Sequence, residues 1–411
     1  MVRLFPALRA PLYRLLWLSS LPSTLGVQMA SVAIGYAAFL ISGSATALGG
    51  VSLATGLPML TFALVGGVVA DRAPRRLILI GTQTTLGLSA ATIAALTLTG
   101  HLALWHLYVL GMAQGTAFAF NMPARQAFIA ELVGPELLRS AISLNNATMN
   151  FARIAGPAIA GGLIAMPMLG VGGVFSLIAL MYGAALLSVL RLPPGRGSAA
   201  AAGRGNWQQL LAGLNQIRSS PALLALLTLG FVPLFFGMPY QTLLPLFAER
   251  VHGAGALGLG LMNAAVGVGA LTGSLTIAAY ASGRALGRLQ IILGLAFGVG
   301  LVGFGLAPSF PLAVAALVVV GFAFAGYAAV NQTLVMEHTS PDFHGRVISV
   351  YLMSFGLLPL ATFPEAWGAD HIGGPAMITI AGSLVIAAVG LTALLAPGYR
   401  RLGDAPDARG A

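Results

Sequence analysis

The stretch "GGVVADRAPRRLILI", residues 66–80, puts one acid and three arginines within six positions and apolar residues on both sides. Charged residues make up only 7% of the 411-residue chain and hydrophobic ones 58%, and the mean hydropathy is +0.91. A soluble domain carries about a quarter of its residues as charges. This chain cannot cover a surface in water, so it belongs in lipid, and the charge knot marks a place where it emerges.

Working outward from the knot, charges and clusters of Gly, Pro and Ser divide the chain into twelve candidate spans. A bilayer core asks for about 20 apolar residues, and an open chain crosses it only as helix. The first six spans fall near residues 12–40, 46–70, 76–99, 103–124, 143–166 and 170–191; the second six fall near 222–247, 256–281, 287–307, 310–335, 347–369 and 373–396. The N-terminal "MVRLFPALRAPLYRLLWLSSLPS" resembles a secretory leader, but its apolar run continues to about Leu40. We read it as a retained first span with a basic lead-in.

Arginine fixes the orientation. All twenty basic residues are arginines, and eighteen lie on alternate loops or tails: Arg3, Arg9 and Arg14; Arg72, Arg75 and Arg76; Arg125 and Arg139; Arg191, Arg196, Arg204 and Arg218; Arg284 and Arg288; Arg346; and Arg400, Arg401 and Arg409. Arg250 stands on the opposite side and Arg153 inside a span. Basic loops stay inside, so both termini and the central connector are expected in the cytoplasm. The net charge of +10 does not point to nucleic acid, which needs basic residues and aromatics on a solvated domain. The absence of cysteine excludes disulfides and thiolate metal sites, and the six histidines are scattered, so no metal or cofactor is expected. Without lysine there is no phosphate-binding loop and no direct ATP drive.

The two halves repeat. "ELVGPELLRSAISL" from Glu131 matches "EHTSPDFHGRVISV" from Glu337 without gaps at an offset of 206, pairing Glu131 with Glu337, Pro135 with Pro341 and Ser143 with Ser349. Such an offset is what a duplicated six-span unit leaves. The expected architecture is therefore all-α and membrane-embedded, with twelve transmembrane helices in two six-helix pseudo-repeats. Residues 1–191 and 221–411 form the bundles, and 192–220 form a cytoplasmic connector. Within the connector, Trp207, Leu210, Leu211, Leu214 and Ile217 recur at the spacing of a short amphipathic helix.

Gly67, Asp71, Arg72, Arg75 and Arg76, between the second and third spans, resemble the loop signature of the major facilitator superfamily, with Pro74 where that pattern has glycine. Residues 121–164 further resemble the branch of efflux proteins that includes siderophore exporters. The resemblance implies two bundles that rock around a central site, and a cytoplasmic charge latch. In that latch Asp71 faces the start of the eleventh helix near Arg346, and Arg72, Arg75 and Arg76 reach Glu131 or Glu136, with Arg139 alongside. A carboxylate at a helix start is favourable by about 0.3–1 kcal/mol. Arg75 and Arg76 also read as plain topology anchors.

Gly156, Pro157 and Gly161 in "ARIAGPAIAGG" resemble the exporter-associated motif on the fifth span, expected to pack on the eighth through Gly269 and Gly273. Arg153 lies fourteen residues past Arg139, about 21 Å into the span at 1.5 Å per residue. Asn146 and Asn150 share its face. A charge at that depth is functional by default: substrate contact, gating pair, or structural arginine tied to carbonyls. Glu249, Asp370 and Glu365 are the candidate acids. Glu365 reads as partner, proton carrier or outer-interface carboxylate. The resemblance places spans 1, 4, 7 and 10 around the central path. Their non-aliphatic residues include Gln28, Gln114, Asn121, Phe236, Tyr240, Gln241, Phe324, Tyr327 and Asn331. Aromatic surface with a few amides suits an amphipathic organic molecule.

The reading is a secondary active exporter of such molecules, not an enzyme. Its expected partners are the substrate, the lipid bilayer and protons as coupling ion, and it is expected to work as a monomer in a prokaryotic cytoplasmic membrane. An importer of a small metabolite and a non-transporting receptor or scaffold are the alternatives.

Overall fold

The computed structural model describes residues 6–195, 221–280, 286–339 and 357–395, and these are helical apart from short turns, with no strand among them. The helices are α1 (Pro11–Ser42), α2 (Ala45–Arg72), α3 (Arg75–Leu98), α4 (Leu104–Ile164), α5 (Gly170–Val189), α6 (Pro221–Val232), α7 (Tyr240–Leu246), α8 (Gly255–Tyr280), α9 (Leu286–Gly305), α10 (Phe310–Glu337), α11 (Leu358–Ile372) and α12 (Gly374–Leu395). Among the described residues, nine stretches are long and apolar enough to cross a bilayer, with α6 and α7 counted together as Leu226–Val251. The connector's amphipathic helix and Arg346 lie outside the described residues.

α4 supplies two further crossings. Its 61 residues run straight through the stretch 125–142, where an inner loop was expected. The only non-helical backbone inside it is Gly134, at φ 70° and ψ 174°, and Pro135 opens the next turn. Glycine ends one arm because it takes positive φ without strain, and proline starts the next because its missing N–H would go unused there. At 1.5 Å per residue each arm reaches about 45 Å, more than the hydrocarbon core requires. The turn at Gly134 is therefore a continuation of both helices, and Arg125, read from sequence as a loop residue, is inside a helix.

The chain forms two compact units, Met1–Gly203 with Pro245–Ala264, and Arg204–Leu244 with Ala265–Ala411. In the first, α1 and α2 pack on α4, and α3 packs on α5. In the second, α9 packs on α10 and α12. Glycines set the closest crossings. A Cβ added to Gly66 would lie 2.1 Å from the Ala119 carbonyl oxygen, and one at Gly115 1.9 Å from that of Thr55, so α2 and the first arm of α4 touch backbone to backbone. The second unit repeats the device: added Cβ atoms at Gly269, Gly273 and Gly321 would lie 2.1, 2.3 and 2.2 Å from the carbonyl oxygens of Val318, Phe322 and Val266. Gly115 and Gly321 are 206 residues apart, the offset of the loop repeat. Gly269 and Gly273 thus face α10, not the fifth span, because the α8–α10 pair is the second-half copy of α2–α4. In lipid no hydrophobic force draws helices together, so such close approach supplies the attraction.

Candidate functional site

The charge knot starts from a short turn. α2 ends at Arg72, and Pro74 precedes α3, whose first residues are Arg75 and Arg76. Arg75 Nη1 donates to Glu131 Oε2 at 2.5 Å and to the Ala127 carbonyl at 3.3 Å, both on the first arm of α4. Arg76 Nη2 donates to the Leu190 carbonyl at the end of α5, and the Arg76 amide donates to the Pro194 carbonyl at 3.2 Å. These two arginines therefore tie α3 to α4 and α5 inside the first unit. Asp71, Arg72, Glu136 and Arg139 are exposed. Neither Asp71 nor Arg72 makes a hydrogen bond or ion pair among the described residues. The partner expected for Asp71, the helix start near Arg346, lies outside them.

Just above this cap is a polar chain that sequence reasoning missed. Gln83 Nε2 donates to Ser23 Oγ at 2.9 Å, and Asn121 Nδ2 donates to Thr82 Oγ1 at 2.7 Å. Arg125 Nη1 donates to Ser20 Oγ, and its Nε reaches Asn121 Oδ1 at 3.5 Å. Charge counting assigned Arg125 to a loop; the uninterrupted helix-forming run "RQAFIAELV" after Ala124 was the signal that it is not one. The second unit has a counterpart, Gln290 Nε2 donating to Asn331 Oδ1 at 2.7 Å, both residues fully buried. Asn121 and Asn331 thus hold their own bundles together.

The second arm of α4 has two faces. Ala141, Leu144, Thr148, Ala152, Gly156 and Ala160 are buried. Tyr13 Oη donates to the Ala141 carbonyl at 3.0 Å, and Trp17 Nε1 donates to Thr148 Oγ1 at 2.9 Å, so α1 is stitched along this face. Farther out, a Cβ on Gly156 would lie 2.6 Å from Gln28 Cβ, and one on Gly161 would lie 2.6 Å from the Cα of Gly260 on α8. Pro157 is buried between them. Asn146, Asn150 and Arg153 are together on the opposite, exposed face. Arg153 forms no ion pair among the described residues, and Glu249 is engaged instead by Tyr36.

In the seventh crossing, α6 passes through a π-helical turn, Pro233–Gly237, before α7. Proline has no N–H, so the carbonyl four residues earlier, Leu229, loses its helical donor. Tyr327 Oη supplies one from α10 at 2.7 Å. A Cβ on Gly237 would fall 2.2 Å from Phe297, whose ring lies 5.3 Å from that of Phe324. Tyr327, Asn331 and Tyr240 are buried, Gln114 and Asn121 nearly so, Gln28 and Phe324 are half-buried, and Phe236 and Gln241 are exposed. Glu365 on α11 is 5% exposed, and its Oε1 has no hydrogen-bond partner among the described residues. No cluster of metal-ligating side chains occurs among them.

The sequence matches the family of transmembrane secretion effectors over residues 3–403. Macrolide efflux protein A of Streptococcus pyogenes is 24% identical over 351 residues, 84% of this chain and 86% of that protein. The enterobactin exporter EntS of Shigella flexneri is 27% identical over 394 residues, 93% of this chain and 89% of that one. Among solved structures, the D323A mutant of the nucleoside transporter NupG superposes with a TM-score of 0.74 at 12% identity, covering 93% of this chain and 99% of that chain. A D-xylose-proton symporter gives 0.70 at 16% identity, covering 96% and 98%. At such identities these two structures speak to the fold.

Proposed function

Because the chain belongs to the transmembrane secretion effector family of the major facilitator superfamily, and is therefore a multi-pass membrane transporter and not an enzyme, we propose that it is a secondary active exporter of amphipathic small organic molecules. The observation that carries this reading is the exposed stripe of Asn146, Asn150 and Arg153 on a helix whose other face is packed against α1. A guanidinium at that depth is too costly against lipid tails, so it borders a watery path. Export is favoured over import by the relatives, named for macrolide efflux and enterobactin export. The resemblance of Gly156, Pro157 and Gly161 to the exporter-associated motif favours the same direction.

In this reading two six-helix halves, joined by the connector at 192–220, alternate access to the path. Asp71 and Arg72 form the moving part of an inner latch with the Arg346 region, on a base held by Arg75, Arg76 and Glu131, with Arg139 on the neighbouring exposed turn. Glu365 carries the coupling proton, which makes the exchange an antiport. Burial of an unpartnered carboxylate is expensive, so its proton would come and go with conformation. One chain suffices, in a prokaryotic cytoplasmic membrane with both termini inside.

The test is uptake of a fluorescent amphipathic substrate into inverted vesicles with and without an imposed pH gradient. Export predicts accumulation in inverted vesicles only, abolished for Glu365→Gln when the gradient is the sole driving force. Accumulation in intact cells only would refute export, and a gradient-driven Glu365→Gln would refute that carrier.

A further inference from the structure

The turn between α7 and α8 closes over the outer end of α1, and we propose that it is an outer clasp that must release each time the path opens outward. This rests on the reading of the chain as an alternating-access transporter, but not on the direction of transport.

The site is built from adjacent residues on each side. α1 ends at Gly43, at φ 62°, whose amide donates to the Phe39 carbonyl at 2.7 Å. Such an end carries partial negative charge, and α1 has no basic residue in its own last turn. Arg250 brings one from elsewhere in the chain. Its guanidinium carbon lies 5.1 Å from the centroid of the Phe39 ring, and a Cβ on Gly43 would lie 2.9 Å from its Nη2. The same cation thus meets an aromatic face and a helix C-terminus. One turn before Phe39, Tyr36 Oη donates to Glu249 Oε1 at 2.5 Å and accepts from the Ala256 amide in the first turn of α8. One phenol therefore holds both strands of the α7–α8 turn.

The local backbone makes this possible. Glu249 and Arg250 sit in a second π-helical turn, Phe247–Val251, and Gly253 and Gly255 follow with φ of 59° each, so the chain reverses at once into α8. Burial holds the neighbouring His252 imidazole below its usual range, so it favours the neutral form and adds no competing positive charge beside Glu249. Beneath the polar contacts the helices pack closely: a Cβ on Gly35 would meet the Pro245 ring at 3.4 Å, and Gly161 meets the Gly260 backbone.

The location argues for a gate. Tyr36 is 23 residues along α1 from Tyr13, which bonds Ala141 at the inner end, a rise of about 35 Å. The clasp and the arginine knot therefore stand at opposite ends of the first unit. Arg250 is also the arginine that breaks the inside-positive pattern. Retaining a basic residue on the outer side is explained if it has a bond to make there.

The chain has no cysteine, so one introduced at Ser31, exposed on α1 and inward of Tyr36, reports opening without further engineering. In sealed right-side-out vesicles, a membrane-impermeant maleimide added outside should label S31C slowly. Tyr36→Phe and Glu249→Ala should each raise that rate about tenfold, the scale of a lost hydrogen bond to a charged group. The double variant should gain no more than Tyr36→Phe alone, because the bond that Glu249→Ala removes is already lost with the phenol. Arg250→Gln, which leaves the Tyr36 pair in place, should raise the rate independently. Background-rate labelling in Tyr36→Phe and Arg250→Gln proteins that melt like the parent would overturn the clasp, as would additive effects of Tyr36→Phe and Glu249→Ala. Labelling reads opening whichever way the substrate moves, so a wrong assignment of export would leave this result standing.

Discussion

Gly115→Ala is the sharpest probe of how the bundles hold together. The new methyl would lie 1.9 Å from the Thr55 carbonyl oxygen and 2.8 Å from its carbon, where ordinary contact begins at 3.4 Å. Both partners are backbone, so no side chain can swing away, and α2 and α4 would have to part by about 1.5 Å. The intrinsic preference of helices for alanine over glycine returns about 1 kcal/mol. Overpacking of a tight core costs about 1–3 kcal/mol, occasionally more, and a clash between two main chains belongs at the upper end. The net loss should be about 2 kcal/mol or more, seen as a drop of about 2–3 °C or more in the unfolding midpoint of purified protein. Gly81→Ala is the matched control: it is on a helix of the same unit, and an added Cβ there meets nothing within 4 Å. It should keep or slightly raise the midpoint. Gly321→Ala should repeat the loss in the other unit, with its methyl 2.2 Å from the Val266 carbonyl oxygen. Equal midpoints for Gly115→Ala and Gly81→Ala would refute the claim that these crossings are backbone contacts.

Glu131→Gln should lower the midpoint by about 1 °C, because the pair with Arg75 is partly exposed, at 14% and 26% of the two side chains, and such pairs contribute about 1 kcal/mol or less. A loss of 10 °C would mean the pair carries far more. Tyr327→Phe leaves the buried Leu229 carbonyl without its donor, a cost of about 1–3 kcal/mol, and an unchanged midpoint would show the bond is not formed. Arg153→Ala should abolish transport in vesicles and leave the melting curve within about 0.5 kcal/mol of the parent, because the side chain is exposed and makes no ion pair among the described residues. Wild-type transport would return it to a structural role.

The crossings were legible because hydropathy and arginine placement act over tens of residues, and the duplication because "ELVGPELLRSAISL" and its copy keep one register. The helix between 125 and 142 was not, since arginines there outweighed a run of good helix formers, and Gly134 alone breaks the backbone. The Arg75–Glu131 pair was among the expected reaches, and the structure selects it from the two acids on offer. Tyr327 shows what a sequence withholds. Its spacing from Phe324 and Asn331 suggested one lining face, but the hydroxyl is occupied by a carbonyl that Pro233 releases 94 residues earlier in the chain. No pattern along a single helix reports such a pairing, because the donor and the vacancy belong to different helices. The Tyr36–Glu249 contact was hidden for the same reason, spanning 213 residues.

On the proposed latch, these bonds separate the part of the arginine knot that is free to move from the part that is held. Arg75 and Arg76 spend their donors on Ala127, Glu131, Leu190 and Pro194, all in the first unit. To release them for a gate would leave Glu131 and three carbonyls without those donors, a cost incurred on every cycle. Asp71 and Arg72 have no such commitment among the described residues, and they sit one turn away on the end of α2. A latch that opens with little penalty has to be made from groups that water can resolvate, and these are exposed. On the proposed latch, the knot is two devices in six residues: Arg75 and Arg76 hold the turn in place, and Asp71 and Arg72 are the pair left to make and break contacts.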